Sequence, residues 1–294
     1  MSDTISSLRQ KIAGAGDLQS VVRTMKAAAA SSIGQYESSV NALTDYYRTV
    51  EMGLSVCIRE IGSEALTLGA KGSSSAVTID AVVFGSDQGL VGQFNDQIAD
   101  HAFKTLAGLT GKPLLWAVGE RVHARLLDTE LPVMGVFNVP SSVGGITPLI
   151  GQVLTETELG KSRGDVAELY LFYNRPTSGA SYAPYGQRLL PLDETWRSGL
   201  AAIPWPSKIL PEVIGEPTET LRALIRGYLF VSLFRACAES LASENASRLA
   251  AMQRADKNID DLLENLNSKY HRLRQGNIDE ELFDVVSGFE ALLK

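Results

Sequence analysis

The sequence has no continuous apolar run long enough to cross a membrane, and it has only two cysteines among 294 residues. A membrane-spanning helix needs about 20 consecutive apolar residues, so we expect no such segment. The first residues, MSDTISSLRQKIAG, lack the apolar stretch of a secretory signal, which predicts a cytoplasmic protein. Cys57 and Cys237 match no metal-binding spacing, so we expect reduced core thiols and no metal site.

Basic residues are fewer than acidic ones, with 27 Lys and Arg against 34 Asp and Glu and a net charge of −7. A nucleic-acid partner is therefore not expected, because no basic excess is present to neutralise phosphates. The histidines, His101, His123 and His271, are isolated in the sequence. No catalytic arrangement of Ser, His and Asp can be inferred from their positions, and no catalytic residue is predicted.

The first 65 residues contain no proline, and their apolar residues follow a heptad pattern. From Ile33 onward the steps alternate between three and four residues, which is typical of a coiled-coil helix. One line of apolar residues comprises Ile33, Val40, Tyr47, Leu54 and Ile61, and the other comprises Tyr36, Leu43, Val50 and Cys57. We predict a long helix over residues 1–67, with a bend near Gly14 and Gly16, because glycine weakens a helix by about 1 kcal/mol.

Short β-prone runs alternate with helical patterns in residues 76–203, after a linker rich in Gly and Ser at residues 68–75. The predicted strands are residues 76–84, 113–118, 133–139, 166–174 and 186–192. The predicted helices are residues 95–109, 119–128 and 146–159. Alternation of strands and helices predicts an α/β domain with a mainly parallel sheet.

A second heptad pattern follows a linker whose four prolines, at positions 204, 206, 211 and 217, exclude a regular helix. Met252, Ile259, Leu266 and Leu273 lie seven residues apart, which predicts a long helix over residues 218–294 with a kink at Gly276. Each long helix needs a partner for its apolar stripe. We therefore predict an antiparallel two-helix coiled coil, with the α/β domain inserted between the N- and C-terminal helices.

The stretch VVFGSDQGLVGQFN, residues 82–95, joins a predicted strand to a predicted helix through a glycine-rich turn. Phosphate-binding loops have this layout. However, Gly85, Gly89 and Gly92 do not have the G-x-G-x-x-G spacing, and a P-loop would need Lys-Ser/Thr where Gln93 and Phe94 stand. A structural turn is therefore favoured, a partner-contact loop and a nucleotide site stay open as alternatives, and no cofactor is predicted.

Three stretches together resemble the γ subunit of F-type ATP synthases. They are LRQKIAGAGDLQSVVRTMKAAAAS near the start, SDQGLVGQFN in the middle and ESLASENASRLAAMQRADKNIDDLLENLNSKYHRLRQGNIDEELFDVVSG near the end. Their order and spacing match over the whole chain, and the C-terminal stretch is the most specific. The resemblance implies an antiparallel coiled coil with an inserted Rossmann-like α/β domain, the layout that the periodicity predicts independently.

In this family the coiled coil is a central rotor shaft inside a ring of α and β subunits, and the foot rests on ε and on the c ring. The resemblance implies a subunit that does no chemistry itself, and that couples ion flow through the membrane ring to ATP synthesis or hydrolysis. It would lie peripherally on the cytoplasmic face of the plasma membrane. The residues that match the family's catalytic-ring contacts are Met25, Lys26, Glu244, Arg248, Arg274 and Gln275. Those that match its glycine turn at the foot are Gly85, Ser86, Asp87, Gly89, Leu90 and Gly92.

The chain departs from the family pattern at three places. The segment after Met25 and Lys26 lacks the usual basic residues, Val91 stands where a cysteine is common, and Asp279 and Glu280 stand where uncharged residues are usual. These departures predict a divergent branch, such as the γ subunit of an alternate, second-operon enzyme. Two other interpretations stay open: a non-catalytic coiled-coil adaptor and a nucleotide-binding Rossmann-like enzyme.

Overall fold

The computed structural model describes residues 4–61, 78–162, 166–177, 181–192, 194–209 and 211–292. The predicted linker at residues 68–75 lies outside the described residues. The chain forms two compact units. Unit 1 comprises Met1–Ala29 and Leu249–Lys294, and unit 2 comprises Ala30–Arg248.

Long helices lie at both ends of the chain, as the heptad patterns predict. They are α1 (Ile5–Ala42), α2 (Thr44–Ile61) and α7 (Pro217–Leu292). The predicted start of the last helix is confirmed, since proline is well tolerated in a first helical turn. The predicted kink at Gly276 does not interrupt α7, which continues as helix to Leu292.

The first long helix is interrupted at a position that its sequence pattern does not predict. It passes through Gly14 and Gly16 without a break, because apolar packing outweighs the low helix propensity of glycine there. It breaks instead at Leu43. The backbone N–H of Leu43 donates to the Val40 carbonyl at 3.2 Å, and the Thr44 hydroxyl donates to the same carbonyl at 3.4 Å. These bonds compete with the regular helical ladder, as Thr side chains often do.

In unit 1 the N- and C-terminal helices run antiparallel. Arg9 bonds the Tyr270 hydroxyl, whereas Arg23, farther along α1, pairs with Asp256, which is earlier in α7. The apolar stripes meet in a cluster of Ala15, Val22, Met252 and Ile259, with Met25, Ala251, Ala255 and Leu263 beside it. The heptad of the C-terminal helix therefore faces the N-terminal helix, as predicted.

Within the described residues, unit 2 contains a five-stranded sheet of order β3-β2-β1-β4-β5. The strands are β1 (Thr78–Phe84), β2 (Lys112–Val118), β3 (Val133–Phe137), β4 (Val166–Pro176) and β5 (Tyr182–Leu190). Only the β4–β5 pair is antiparallel among the four strand pairings. The prediction of a mainly parallel sheet is therefore confirmed.

Three helices pack on the sheet: α3 (Phe94–Ala107), α4 (Glu120–Leu127) and α5 (Ile146–Ser162), the last preceded by a short 3₁₀ turn at Val143–Gly145. A fourth helix, α6 (Glu194–Ala201), packs against α2 and was not predicted. Helix α6 was not predicted because its eight residues are too few to show a helical pattern, and because it adjoins the proline-rich linker.

The central strand β1 divides the core of unit 2 into two clusters. Ile79, Ala81 and Val83 pack on one side with residues of α3 and α4. Val82 and Phe84 pack on the other side with α5 and with residues of the long helices. Because successive strand residues point to opposite faces, a strand covered on both faces is apolar without alternation, which explains the run AVVF.

Gly85 follows β1 at a point of close backbone approach. A Cβ added there would lie 2.3 Å from the Cβ of Val122 on α4. We expect Gly85→Ala to destabilise the chain by about 1–3 kcal/mol, because the fully buried Val122 has to move. The measurement is the urea midpoint of the purified chain, followed by circular dichroism.

Gly151→Ala is the matched control for this substitution. Gly151 is exposed on α5, and among the described residues no atom outside the backbone of its own helix lies within 4 Å of an added Cβ. We expect this change to be neutral or to stabilise by up to about 1 kcal/mol. Equal urea midpoints for the two variants would contradict the proposed steric constraint.

Candidate functional site

The glycine turn, residues 85–92, is fixed by side chains of the chain itself. The Ser86 backbone N–H donates to Asn95 Oδ1 at 2.9 Å, and Asn95 Nδ2 donates to the Ser86 hydroxyl at 2.8 Å. The Ser86 hydroxyl in turn donates to the Gln88 carbonyl at 2.9 Å. Ser86 is fully buried, so this network holds the start of the turn rigidly against α3.

Asp87 joins the glycine turn to two neighbouring segments. Its Oδ1 accepts the backbone N–H of Glu120 at 3.0 Å, and its Oδ2 accepts the N–H of Val139 at 2.9 Å. Glu120 is the first residue of α4, where the helix dipole favours negative charge. A bound phosphate would exploit such a helix end, but here the carboxylate of Asp87 already occupies it. The geometry therefore supports the structural interpretation of the turn.

The far end of the turn presents an apolar side chain to solvent. Leu90 has φ of 63°, a left-handed conformation that is unusual for leucine, and its side chain is 61% exposed. The next residue, Val91, is buried, and its carbonyl accepts the Ser247 hydroxyl of α7 at 2.5 Å. The turn is thus attached to α7 through Val91, while the side chain of Leu90 is exposed to solvent.

Glu244 and Arg248, predicted to contact a partner, pair with each other within unit 2. Arg248 Nη2 lies 2.6 Å from Glu244 Oε1, and their side chains are 13% and 7% exposed. They line a cleft of about 190 Å³ together with Asp87 and Tyr36. Among the described residues, Glu244 Oε2 and Arg248 Nε have no hydrogen-bond partner.

The pKa of Glu244 is raised above its ordinary value of 4.5. Burial is the largest cause, and it outweighs the opposing effect of the Arg248 cation, while the charge of Asp87 adds to the rise. Pairing therefore does not fully compensate the ionised carboxylate for its loss of water. The predicted contact role of this pair stays a prediction.

Lys26, also predicted to contact a partner, belongs to a polar cluster of unit 1. Lys26 Nζ lies 3.0 Å from Asp256 Oδ2, and Arg23 Nε lies 3.1 Å from Asp256 Oδ1. Gln19 donates to the same carboxylate at 3.3 Å. The hydrogen bond from Lys26 is the largest cause that lowers the pKa of Asp256, and Arg23 adds to it. Asp256 was not predicted from the sequence, although its negative charge opposite the basic residues of α1 would signal it once the two helices are aligned.

The remaining predicted contact residues differ in exposure. Met25 is partly buried beside the apolar cluster of unit 1, whereas Arg274 and Gln275 are exposed on α7. The predicted contact residues thus fall in both units.

In the described part of the chain, no three potential metal ligands come together. None of the described helices combines the length and apolar character that a bilayer crossing demands.

Comparison with known proteins gives a consistent result. A family profile described as ATP synthase matches residues 4–292. The chain is similar to the ATP synthase gamma chain of Syntrophus aciditrophicus, with 27% identity over 300 residues, 99% of this chain and 99% of the relative.

Solved structures share the fold. The rotor of the Euglena gracilis mitochondrial ATP synthase in rotational state 1 is similar with a TM-score of 0.62 and 16% identity, over 93% of this chain and 98% of that one. A chain in the OSCP/F1/c-ring structure of the same enzyme, in rotational state 3, gives a TM-score of 0.64 and 16% identity, over 98% and 94% of the two chains.

The raised pKa of Glu244 predicts an asymmetry between the two halves of its ion pair. We expect Glu244→Gln to be neutral or stabilising at pH 7, and Arg248→Met to destabilise by about 3 kcal/mol, because it leaves a buried carboxylate unpaired. The pKa of Glu244 is higher in the folded chain than in the unfolded chain, so its contribution to the free energy of unfolding is fully present below pH 4.5. This contribution is lost as the pH rises through the folded-state pKa.

Urea unfolding of each variant at several pH values measures both effects. Equal decreases in the free energy of unfolding for the two variants at pH 7 would contradict the prediction.

The lowered pKa of Asp256 predicts the opposite pH dependence. Its ion pairs stabilise the coiled coil above the ordinary carboxyl value of 3.8, and this contribution is lost as the pH falls through the lower folded-state value. We expect Asp256→Asn to reduce the acid sensitivity of thermal unfolding. Asp261→Asn, at an exposed position of the same helix, is the control and should leave it unchanged. The prediction is wrong if both variants keep the original pH profile.

Proposed function

The chain belongs to the ATP synthase family and matches a γ chain over its full length, and we propose from this premise that it is the central rotor shaft of a rotary F-type enzyme. It is a non-catalytic subunit. It couples ion flow through the membrane ring to ATP synthesis or hydrolysis in the catalytic ring. The α and β subunits surround it, and ε and the c ring bind its foot.

The chain is a peripheral subunit of this membrane-bound complex. We propose that it lies on the cytoplasmic face of the plasma membrane, as the family resemblance implies. We also retain three domain limits as proposals: a coiled-coil helix over residues 1–67, the α/β domain over 76–203 and the second coiled-coil helix over 218–294. The loss of basic residues after Lys26, with Asp279 and Glu280 near the end, supports the proposal of a divergent, second-operon branch.

An apolar surface at the end of α7 carries the proposal. Beyond Tyr270, which meets Arg9 near the start of α1, α7 continues for more than 20 residues to Leu292. The exposed apolar residues there are Ile278, Leu282, Phe283, Val285 and Val286, from 48% to 71% exposed. A helix whose apolar residues remain exposed needs a protein partner. A ring of subunits that encloses the end of the shaft would cover this surface.

Such a shaft acts by contact alone. Rotation presents a different face of the shaft to each of the three β subunits. A face changes the conformation of a β subunit only by as much as it binds the open and closed states with different affinity. The residues proposed to make these contacts are Met25, Lys26, Glu244, Arg248, Arg274 and Gln275, and residues 85–92 form the proposed turn at the foot.

Reconstitution with candidate α and β subunits tests the function. We expect the chain to complete an α/β ring that hydrolyses ATP, and removal of residues 275–294 to change its turnover. Arg274→Ala should lower turnover roughly tenfold, the equivalent of about 1.4 kcal/mol for one lost charge-assisted contact. Arg272→Ala, at an exposed position of the same helical turn, is the matched control and should have little effect.

The possible outcomes test the rotor function and the proposed contacts of the C-terminal residues separately. Failure of the unaltered chain to join any α/β ring would overturn the rotor function and favour a coiled-coil adaptor. Assembly without any effect of the truncation or of Arg274→Ala would preserve the rotor and reject the terminal contacts. Nucleotide binding by the isolated chain would favour the enzyme interpretation.

A further inference from the structure

The exposed apolar residue of the glycine turn is also its strained residue. Among the described residues, Leu90 is the one residue other than glycine with a positive φ, 63°. A left-handed conformation is unfavourable for any residue that carries a Cβ. The side chain of Leu90 is 61% exposed, so burial within the chain does not offset this cost. Strained residues persist where the surrounding structure holds them in place, and they cluster at contact and ligand sites.

The residues that follow Leu90 are held in place by hydrogen bonds. The Val91 carbonyl accepts the Ser247 hydroxyl at 2.5 Å and the backbone N–H of Phe94 at 3.3 Å. Val91 is 3% exposed, and Gly92 has φ of 58°, which glycine adopts without strain. Ser247 is 156 residues away from Val91 in the chain. A separate element, α7, therefore fixes the residue next to Leu90.

A fixed turn gives the exposed leucine a single orientation. A partner that binds a mobile loop has to order it, which costs conformational entropy, whereas a loop that is already fixed avoids this cost. The hydroxyl of Ser247 can therefore strengthen a contact without touching the partner. The strain at Leu90 has the same explanation, because a glycine at this position would relieve the strain but would present no apolar side chain.

The surroundings of the turn indicate which partner Leu90 contacts. Asp87 and Gln88 line the same cleft as Glu244 and Arg248, and Ser247 directly precedes Arg248 on α7. The family resemblance assigns Glu244 and Arg248 to the catalytic ring. A ring subunit that reaches Arg248 is therefore within reach of the turn.

We propose that Leu90 contacts a subunit of the catalytic ring, and that Ser247 is a positioning residue that fixes the turn so that Leu90 faces this subunit. This inference rests on the proposed rotor function and names the partner of the glycine turn. It explains why a leucine occupies a position that favours glycine. Contact with ε or the c ring, which the assignment of the turn to the foot implies, is the alternative that the experiment distinguishes.

Urea unfolding of the purified chain tests the strain. We expect Leu90→Gly to raise the urea midpoint, because glycine adopts this φ without steric cost. Leu90→Ala should leave the midpoint nearly unchanged, because alanine keeps the Cβ. A midpoint for Leu90→Gly at or below that of Leu90→Ala would contradict the strain on which the inference depends.

Competition for the catalytic ring tests the contact. Tagged unaltered chain and an untagged variant are mixed in equal amounts with limiting α and β subunits, and the share of each chain in the assembled ring is measured. We expect Leu90→Ala to lower the variant's share relative to the unaltered chain roughly tenfold, the loss expected when one leucine side chain is no longer buried. Leu127→Ala is the matched control, because Leu127 is 60% exposed in the same unit, and it should keep an equal share.

A double variant separates positioning from packing. We expect Ser247→Ala to lower the share about threefold, the cost of ordering the turn on binding, and Ser247→Thr to restore it because the hydroxyl is kept. Ser247→Ala should have no further effect in a chain that already carries Leu90→Ala, since no side chain remains to be positioned. Additive losses in the double variant would overturn the positioning role.

The remaining outcomes concern the partner. Equal shares for Leu90→Ala and Leu127→Ala would overturn the contact with the ring. A loss that appears only when ε and the c ring are present would assign the turn to the foot and overturn the proposed partner. Failure of the unaltered chain to join any α/β ring would instead overturn the rotor function itself, whereas a loss confined to the variants leaves that function intact.

Discussion

The long helices of this chain depend on one interaction, the burial of one helix's apolar stripe against that of another. Isolated helices gain little in water from their own hydrogen bonds, and most of their stability in proteins comes from packing. In unit 1 this packing joins Val22 to Met252 and Ile259. In unit 2 Tyr47 of α2 contacts Tyr228 of α7. The same packing explains why Gly14 and Gly16 do not interrupt α1.

Polar groups fix the relative positions of the elements that the apolar contacts bring together. Asp87 uses both carboxylate oxygens to hold the start of α4 and the segment after β3. Asp256 aligns two antiparallel helices through Arg23 and Lys26. Each of these two carboxylates bonds groups outside its own element, so it fixes the relative positions of the elements in a way that apolar contacts do not.

A rotor subunit that does no chemistry needs stiffness and contact surfaces more than a reactive centre. The glycine turn illustrates this, since Ser86 and Asp87 bond groups of the chain itself and the apolar side chain of Leu90 is exposed. The end of α7 carries exposed apolar side chains, which the proposed ring of subunits would cover.

Much of the fold could be predicted from sequence because its signals are local and periodic. The heptads of the C-terminal helix, the alternation of strands and helices, and the proline at the start of α7 each specify an element through neighbouring residues. The break at Leu43 was missed, because it depends on competition for the Val40 carbonyl rather than on a helix-breaking residue. Helix α6 was missed because eight residues give too short a pattern.

The site was less predictable than the fold. Sequence identified Glu244, Arg248 and Lys26 as charged residues in a recognisable pattern, but not that Glu244 and Arg248 pair with each other or that Lys26 pairs with Asp256. By itself the sequence determined the long helices, the alternation of strands and helices, and the family, because periodicity and motif order are properties of the chain. Tertiary structure decided which distant charges pair and which surfaces stay open, because residues such as Arg23 and Asp256, 233 positions apart, meet only in the folded chain.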